Sequence, residues 1–556
     1  MSFLDGPDLH GKRLVAGRVL TALAGALVLA ALLLPNEIAR ITPGAFLRIP
    51  AEALLGVALL LVVPNRARPA VAALIGTGLG LLTILKVVDM GFFATLNRPF
   101  NVLFDWRSFA DATNFLTQSF GPGGAIGAAI GAALAAIVVL IVITRSVLRL
   151  SRLVVRHRST AARTVALMTT VWTVCVLFGT QLVPGIEIAS DSTATLALYR
   201  AQQVRADLLD VEQFEAELAA DPFRDTPNDE LLTALRGKDV VLTFVESYGR
   251  DALENPEYAP SVGALLDDGT RRLDAAGFAS RSAYLTSPTT GAGSWLAQAT
   301  LLSGLWINNQ QRYDRLHTTD RPTLVSDFHR ADWRTVGIMP GVFLDWPEGG
   351  FYGYHRIYDS AKLEYRGPRM SFATMPDQYT LSAFEKLEHA VPGRGPVMAA
   401  IPLVSSHAPW TPIPPFLNWG DVGDGSVYNY LAGRGEQPEA ILTRDPAVVR
   451  ADYRRALEYS LTSLISYVET YGDDDLVLVF LGDHQPSPIV TGGNPNRDVP
   501  ITIVTRDQEV LDRIEGWGWQ PGLKPGPYAP VWRMDAFRDR FLTAFSPDAA
   551  PTSKSH

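Results

Sequence analysis

Five long apolar runs fill the first 185 residues of this 556-residue chain, at about 14–35, 46–64, 69–93, 122–143 and 164–184. Each is close to the ~20 residues that a helix needs to cross the hydrocarbon of a bilayer. Lipid offers a backbone no water to bond, so such runs are restricted to helices that pair their N–H and C=O groups internally. Residues 1–185 are therefore predicted to form a polytopic α-helical membrane domain of about five spans. The second run is the weakest, with Glu52 inside it and Arg48 at its edge, and it reads as tilted or interfacial. The first run is followed by further runs and not by a small-residue cleavage site, so it reads as an anchor.

Charge orients these spans. Arg145, Arg149, Arg152, Arg156, Arg158 and Arg163 fall between the fourth and fifth runs, and Arg66 and Arg68 between the second and third. Basic loops stay on the cytoplasmic side, and with Lys12 and Arg13 also inside, an odd number of spans places everything after about residue 185 outside. The expected protein is thus a multi-pass, integral component of the cell membrane with an extracytoplasmic second half. A short basic loop between apolar runs is what topology alone requires, so no nucleic acid is expected as a partner. Lys86 and Asp89 stand three residues apart in the third run and are predicted to share a helix face and neutralise each other. The one cysteine, Cys175, lies in the fifth run and excludes an intrachain disulfide, so the outer half must draw its stability from core size. A net charge of −8 gives no reason to expect a polyanionic partner.

Residues 186–237 read as a partly helical connector, and from 238 to 556 strand and helix signals alternate. Strands are predicted at 239–246, 335–339, 397–404, 476–481 and 500–505, and helices at 295–303, 322–331, 447–470 and 533–545. That rhythm predicts an open α/β sheet. The Pro-, Gly- and Asp-rich stretch 408–445 is too long for a plain connection and reads as a lid or binding loop.

Two of the buried strands end in groups that ligate metals. The first ends in Glu246-Ser247, the later one in Gly482-Asp483-His484-Gln485. The carboxyl edge of an α/β sheet is where ligands bind, so a carboxylate from one strand and an Asp-His pair from another can converge on one divalent cation. Between them, Gly291-Ala-Gly-Ser294 leads into a helical stretch and places a hydroxyl at a helix N-terminus, a position suited to a nucleophile. Thr286, Ser287, Thr289, Thr290 and Ser294 all compete for that role. In mid-domain, Ser405-Ser406-His407-Ala408-Pro409 follows an apolar strand.

Taken together these motifs resemble the alkaline phosphatase superfamily in its sulfatase-like branch. Within that branch, the many-spanning anchor and the Glu246/Asp483/His484 set are most similar to lipoteichoic acid synthases, periplasmic phosphoglycerol transferases and lipid A phosphoethanolamine transferases. The resemblance covers residues 238–545. It implies one divalent ion, manganese or zinc (Mn²⁺ or Zn²⁺, with Mg²⁺ a further candidate), held by Glu246, Ser294, Asp483 and His484. Counting back from Ser303-Gly304 by the family's spacing selects Ser294 as nucleophile, with Thr290 in reserve. His407 would contact substrate and assist the leaving oxygen, and Trp346 and Arg356 are further candidate substrate contacts. Trp346 stands with Asp345 and Glu348 where the relatives carry an aromatic residue and an Arg, and no Arg is evident there. Asp377 reads as a helix cap. Ser294-Trp295-Leu296-Ala297-Gln298 lacks the Pro/Ala and Arg positions that signal conversion to formylglycine, which favours an unmodified serine. The resemblance implies transfer of a phospho-head-group, phosphoglycerol or phosphoethanolamine, from a membrane lipid donor to a cell-envelope glycan or polyol-phosphate acceptor. A sulfatase or phosphodiesterase hydrolase and an inactive membrane scaffold are the alternatives.

Overall fold

The computed structural model describes residues 7–96, 98–183, 186–343, 346–370, 373–435, 444–493 and 496–547. It divides the chain into two compact units, residues 1–94 with 98–210 and residues 95–97 with 211–556.

The first unit is built from α1 (Pro7–Leu33), α2 (Ala51–Val62), α3 (Arg68–Leu96), α4 (Ser108–Arg156), α5 (Arg158–Leu177) and the first part of α6 (Ser192–Ala219), with their ends as given. Among the described residues, four stretches are long and apolar enough to cross a membrane: Val15–Leu33, Arg68–Leu96, Phe120–Arg156 and Arg158–Leu177. The expected second span is shorter than predicted. At 12 residues, α2 reaches only ~18 Å at 1.5 Å per residue, against a ~30 Å hydrocarbon core. Its charged neighbours explain why. Glu52 Oε1 accepts a hydrogen bond from Ala194 N at 2.7 Å, capping the start of α6. Arg68 Nε and Nη2 donate to Leu60 O at 2.8 Å and Val63 O at 2.9 Å and so close the other end of α2. The chain turns within α4 at Gly121, whose φ of 75° lies in the left-handed region next to Pro122.

Lys86 and Asp89 do not pair with each other. Lys86 Nζ donates to Ala31 O and Leu32 O, both at 3.1 Å, and to Thr193 Oγ1 at 2.8 Å. The last carbonyls of α1 have no partner within their helix and carry the negative end of its dipole, so they compete well for the ammonium. Asp89 is fully buried, both of its oxygens accept from Nη2 of Arg200 as a paired charge, and Oδ1 also accepts from Phe100 N at 3.0 Å. A forked guanidinium satisfies a buried carboxylate better than a point-charge ammonium does.

The second unit holds a nine-stranded sheet. In chain order its strands are β1 (Asp239–Val245), β2 (Ala279–Thr286), β3 (Arg334–Met339), β4 (Arg356–Asp359), β5 (Val397–Leu403), β6 (Leu476–Gly482), β7 (Asp498–Thr505), β8 (Gln520–Pro521) and β9 (Val531–Arg533). The spatial order is β8-β2-β7-β6-β1-β5-β3-β4, with β9 also against β2. From β6 to β4 the strands are parallel, and β7 runs antiparallel to β6 and β2. All seven residues of β1 and of β6 are buried because helices cover both faces, which is why these strands read as unbroken apolar runs. Val241, Val245, Leu478 and Phe480 pack with α7 (Ala259–Ala275) and α10 (Pro446–Tyr471) on one face. Val240, Leu242, Phe244, Val477, Val479 and Leu481 pack with α8 (Ser294–Ser303) and α11 (Ala536–Phe545) on the other. One further helix, α9 (Asp377–Phe384), packs on the α10 face.

Candidate metal centre

Strand register levels the carboxyl ends of the three central strands: Gly482 pairs with Val245, and Val245 with Leu403. The residues that follow each strand therefore emerge side by side. Glu246 N bonds Leu403 O at 3.1 Å, and the chain then turns at Ser247, whose φ of 57° is left-handed and rare for a residue with a β-carbon. Three hydrogen bonds hold that turn: Ser247 N to Asp483 Oδ1 at 2.8 Å, Ser247 Oγ to Glu246 Oε1 at 2.8 Å, and Tyr453 OH to Ser247 O at 2.9 Å. Only glycine fits at 482, since a Cβ there would lie 1.8 Å from Tyr248 O.

Asp483 Oδ1 also accepts from His484 N at 2.7 Å, which leaves Oδ2 to face the cluster. His484 Nδ1 lies 2.8 Å from Gln485 O. A carbonyl can only accept, so Nδ1 carries the proton and Nε2 offers its lone pair. Ser294 arrives from the opposite side, as the first residue of α8 after the left-handed Gly293 (φ 88°). Its Oγ donates to Glu246 Oε2 at 2.9 Å and stands 3.2 Å from His484 Nε2. It is half-buried, so a substrate can reach it.

Ligand atoms of Glu246, Asp483 and His484 all lie within 4.8 Å of one another, and the three residues are buried. Two carboxylates this close cannot both be ionised cheaply away from water. Burial and the charge of Glu246 push the Asp483 carboxyl up to about 7. Burial also raises Glu246, but the charges of His407 and His484 and its hydrogen bonds outweigh that and leave it below its usual value. Burial lowers His484, and the two carboxylates overcome this to raise it. Two carboxylates, an imidazole Nε2 and a hydroxyl fit a divalent ion of the Mn²⁺ or Zn²⁺ kind. A second group, Asp239, His389 and Asp473, lies at the opposite edge of the sheet. There the Arg394 guanidinium already occupies both oxygens of Asp239, so the charge has its counterion.

The five competing hydroxyls separate cleanly. Thr286 Oγ1 bonds Asp498 Oδ1 at 2.8 Å, Ser287 Oγ bonds Asp483 O at 2.7 Å, and Thr289 Oγ1 bonds Ala292 O at 2.5 Å. Thr290 pairs its backbone with Gln485, and its buried Oγ1 has no hydrogen-bond partner. Ser294 is the one of the five whose hydroxyl meets side chains of the cluster. His407 follows β5, bonds Ala408 O through Nδ1 at 2.7 Å, and is near enough to lower the Glu246 carboxyl.

Of the two further candidate contacts, Arg356 is not brought to this edge. Trp346 is half-buried and packs against Tyr352 at a ring separation of 5.8 Å, as part of the core on the α8 face. Arg356 opens β4 level with Val336, Ala399 and Val241, so it lies three strands from β1 and four residues (~13 Å) short of Val245. Its guanidinium sits over Tyr358 at 5.0 Å. Asp345 lies outside the described residues. Tyr453, which braces the site through Ser247 O, carries no signal in the sequence beyond ordinary polarity.

The fold and the site define an α/β domain whose sheet edge brings together a hydroxyl, two carboxylates and an imidazole, a set that could hold one metal ion. Among solved structures the chain is similar to the lipoteichoic acid synthase LtaP of Listeria monocytogenes, at 15% identity over 61% of this chain and 80% of that one, with a TM-score of 0.36. It is similar to an alkaline phosphatase superfamily protein of Vibrio parahaemolyticus, at 17% identity over 53% and 68%, with a TM-score of 0.33. It is also similar to the periplasmic domain of EptC of Escherichia coli in complex with Zn, at 15% identity over 56% and 84%, with a TM-score of 0.37. No family model and no curated protein matches the chain. At such identities the chemistry must be read from the residues of this chain.

Proposed function

We propose that this protein is a membrane enzyme that transfers a phospho-head-group, phosphoglycerol or phosphoethanolamine, from a lipid donor to a hydroxyl of a cell-envelope glycan or polymer. One observation carries the reading: Ser294 Oγ stands 2.9 Å from Glu246 and 3.2 Å from His484 at the start of a helix, where it is reachable and its neighbours are buried. Glu246, Asp483, His484 and Ser294 would hold one divalent ion, Mn²⁺ or Zn²⁺. Such an ion lowers the pKa of a bound hydroxyl and neutralises charge on a phosphoryl group. Ser294 Oγ gives its proton to Glu246 Oε2 and forms a bond to phosphorus while the bond from phosphorus to the diacylglycerol oxygen breaks. His407, as an imidazolium with Nδ1 tied to Ala408 O, supplies its Nε2 proton to that leaving oxygen. An acceptor hydroxyl then gives its proton to His407 Nε2 and attacks phosphorus, the bond from phosphorus to Ser294 Oγ breaks, and the proton on Glu246 returns to Ser294.

The test is to incubate the full-length protein with a lipid labelled in its head group. Mass spectrometry is expected to find the head group on the peptide containing Ser294, and product is expected to partition toward a polyol or glycan acceptor as its concentration rises. Release indifferent to acceptor would make the protein a hydrolase, and a protein that copurifies with no metal would be a scaffold.

Sidedness follows from the basic stretch 145–163, which includes the end of α4 and the start of α5. Counting from that turn, α5 leads outward whether or not the short α2 crosses; without α2 as a span, Lys12 and Arg13 lie outside, against the expectation from an odd number of spans, and the denser charge of the 145–163 turn is taken to prevail. A cysteine introduced between Arg145 and Arg163 is expected to resist an impermeant thiol reagent in intact cells, and labelling there would reverse the orientation.

A further inference from the structure

Asp377 was expected to cap a helix, and it opens α9 without capping it. Its carboxylate turns instead to the end of β5. Oδ1 accepts from Val404 N at 2.7 Å and Ser405 N at 2.9 Å, and Oδ2 accepts from Ser460 Oγ of α10 at 2.6 Å. In return Asp377 N donates to Ser405 Oγ at 2.9 Å. The residue is fully buried, and the amides and hydroxyl that bond its carboxylate are neutral. Burial pushes its carboxyl up to about 6 despite the bonds from Ser460, Ser405 and Val404.

The turn gripped in this way has two ends that matter. Ser406 Oγ donates to Glu246 O at 2.7 Å, and His407 N bonds back to Val404 O at 3.0 Å. We propose that Asp377 is a positioning residue, which clamps the Val404–Ser405 backbone so that His407 is held in register with Glu246 at the reacting phosphoryl group. The inference rests on the phosphoryl-transfer reading above. A carboxylate fits the task because one oxygen takes two adjacent N–H groups while the other anchors to a different helix, so that α9, α10 and the β5 turn move as one body.

Asp377→Ala removes the acceptor for both amides. Asp377→Asn keeps Oδ1, and the Ser460 hydroxyl can rotate to accept from the new amide. With the full-length enzyme and a labelled lipid, Asp377→Ala is expected to lose on the order of 10²-fold in kcat per folded chain, the usual contribution of a placed general acid, with KM within about threefold and metal content unchanged. Asp377→Asn is expected to recover to within about fivefold of wild type. Hydrogen exchange read by mass spectrometry should show the amides of Val404 and Ser405 at least about tenfold faster in Asp377→Ala and restored in Asp377→Asn. An unchanged kcat per folded chain in Asp377→Ala, unchanged exchange at these amides, or an Asn variant as impaired as the Ala variant would overturn the inference. A wild-type enzyme without phosphodiester turnover would sink the functional reading instead, and the exchange measurement would still decide whether the clamp exists.

Discussion

Replacing Ser294 by alanine is expected to lower turnover of a lipid phosphodiester by on the order of 10³-fold or more, because the remaining groups of the site cannot replace covalent catalysis. The change removes the Oγ that stands 2.9 Å from Glu246 and 3.2 Å from His484 and leaves the rest of the helix intact. Alanine is a strong helix former and Ser294 makes no side-chain cap, so the fold should be preserved. Thr290→Ala serves as the control. Its hydroxyl is buried without a partner, so its loss should change turnover far less. Rates of head-group release per folded chain check both variants. A Ser294→Ala enzyme within tenfold of wild type would move the nucleophile elsewhere.

Asp483→Asn and Glu246→Gln are expected to abolish stoichiometric metal binding and reduce activity to background. Alanine is the poorer probe at 483, because Asp483 Oδ1 also accepts from Ser247 N and His484 N. Asparagine keeps that acceptor and changes only the oxygen that faces the cluster. The metal-free protein should respond in the opposite direction. There the two carboxylates repel, and burial with the Glu246 charge lifts Asp483 to about 7. Folded Asp483 then holds a proton that the unfolded chain releases near pH ~4, so metal-free wild type should lose stability as pH rises from ~4 to about 7. Asp483→Asn should remove that slope while forfeiting the stabilisation by added Mn²⁺ or Zn²⁺, which at 100 times Kd amounts to about 2.7 kcal/mol and is read as a rise in melting temperature. Elemental analysis and thermal unfolding with and without metal check the pair. Full metal content in either variant would rule out the ligand set.

Much of this was legible in one dimension because it rests on local physics. The apolar runs at 14–35, 69–93, 122–143 and 164–184 correspond to the four long helices, since a bilayer admits little else. The strands β1 and β6 announced themselves by unbroken burial, and their carboxyl ends carried Glu246, Asp483 and His484 to one edge. By contrast β2, with the sequence Ala-Ser-Arg-Ser-Ala-Tyr-Leu-Thr, shows no apolar run, and its neighbours β7, β8 and β9 make it a strand.

What the residues determined by themselves was a membrane half, an α/β half and a set of ligand types at strand ends, because hydrophobic period and strand direction are properties of short segments. Tertiary structure decided the choices among chemically equivalent groups. It put the hydroxyl of Ser294, and not those of its four neighbours, against side chains 48 and 190 residues away. It gave Asp89 to Arg200 and Lys86 to the end of α1, it turned Asp377 from a cap into a clamp, and it left Arg356 three strands from the site. Each of these outcomes depends on sheet order and register, which bring distant segments within hydrogen-bond reach and which no local pattern encodes.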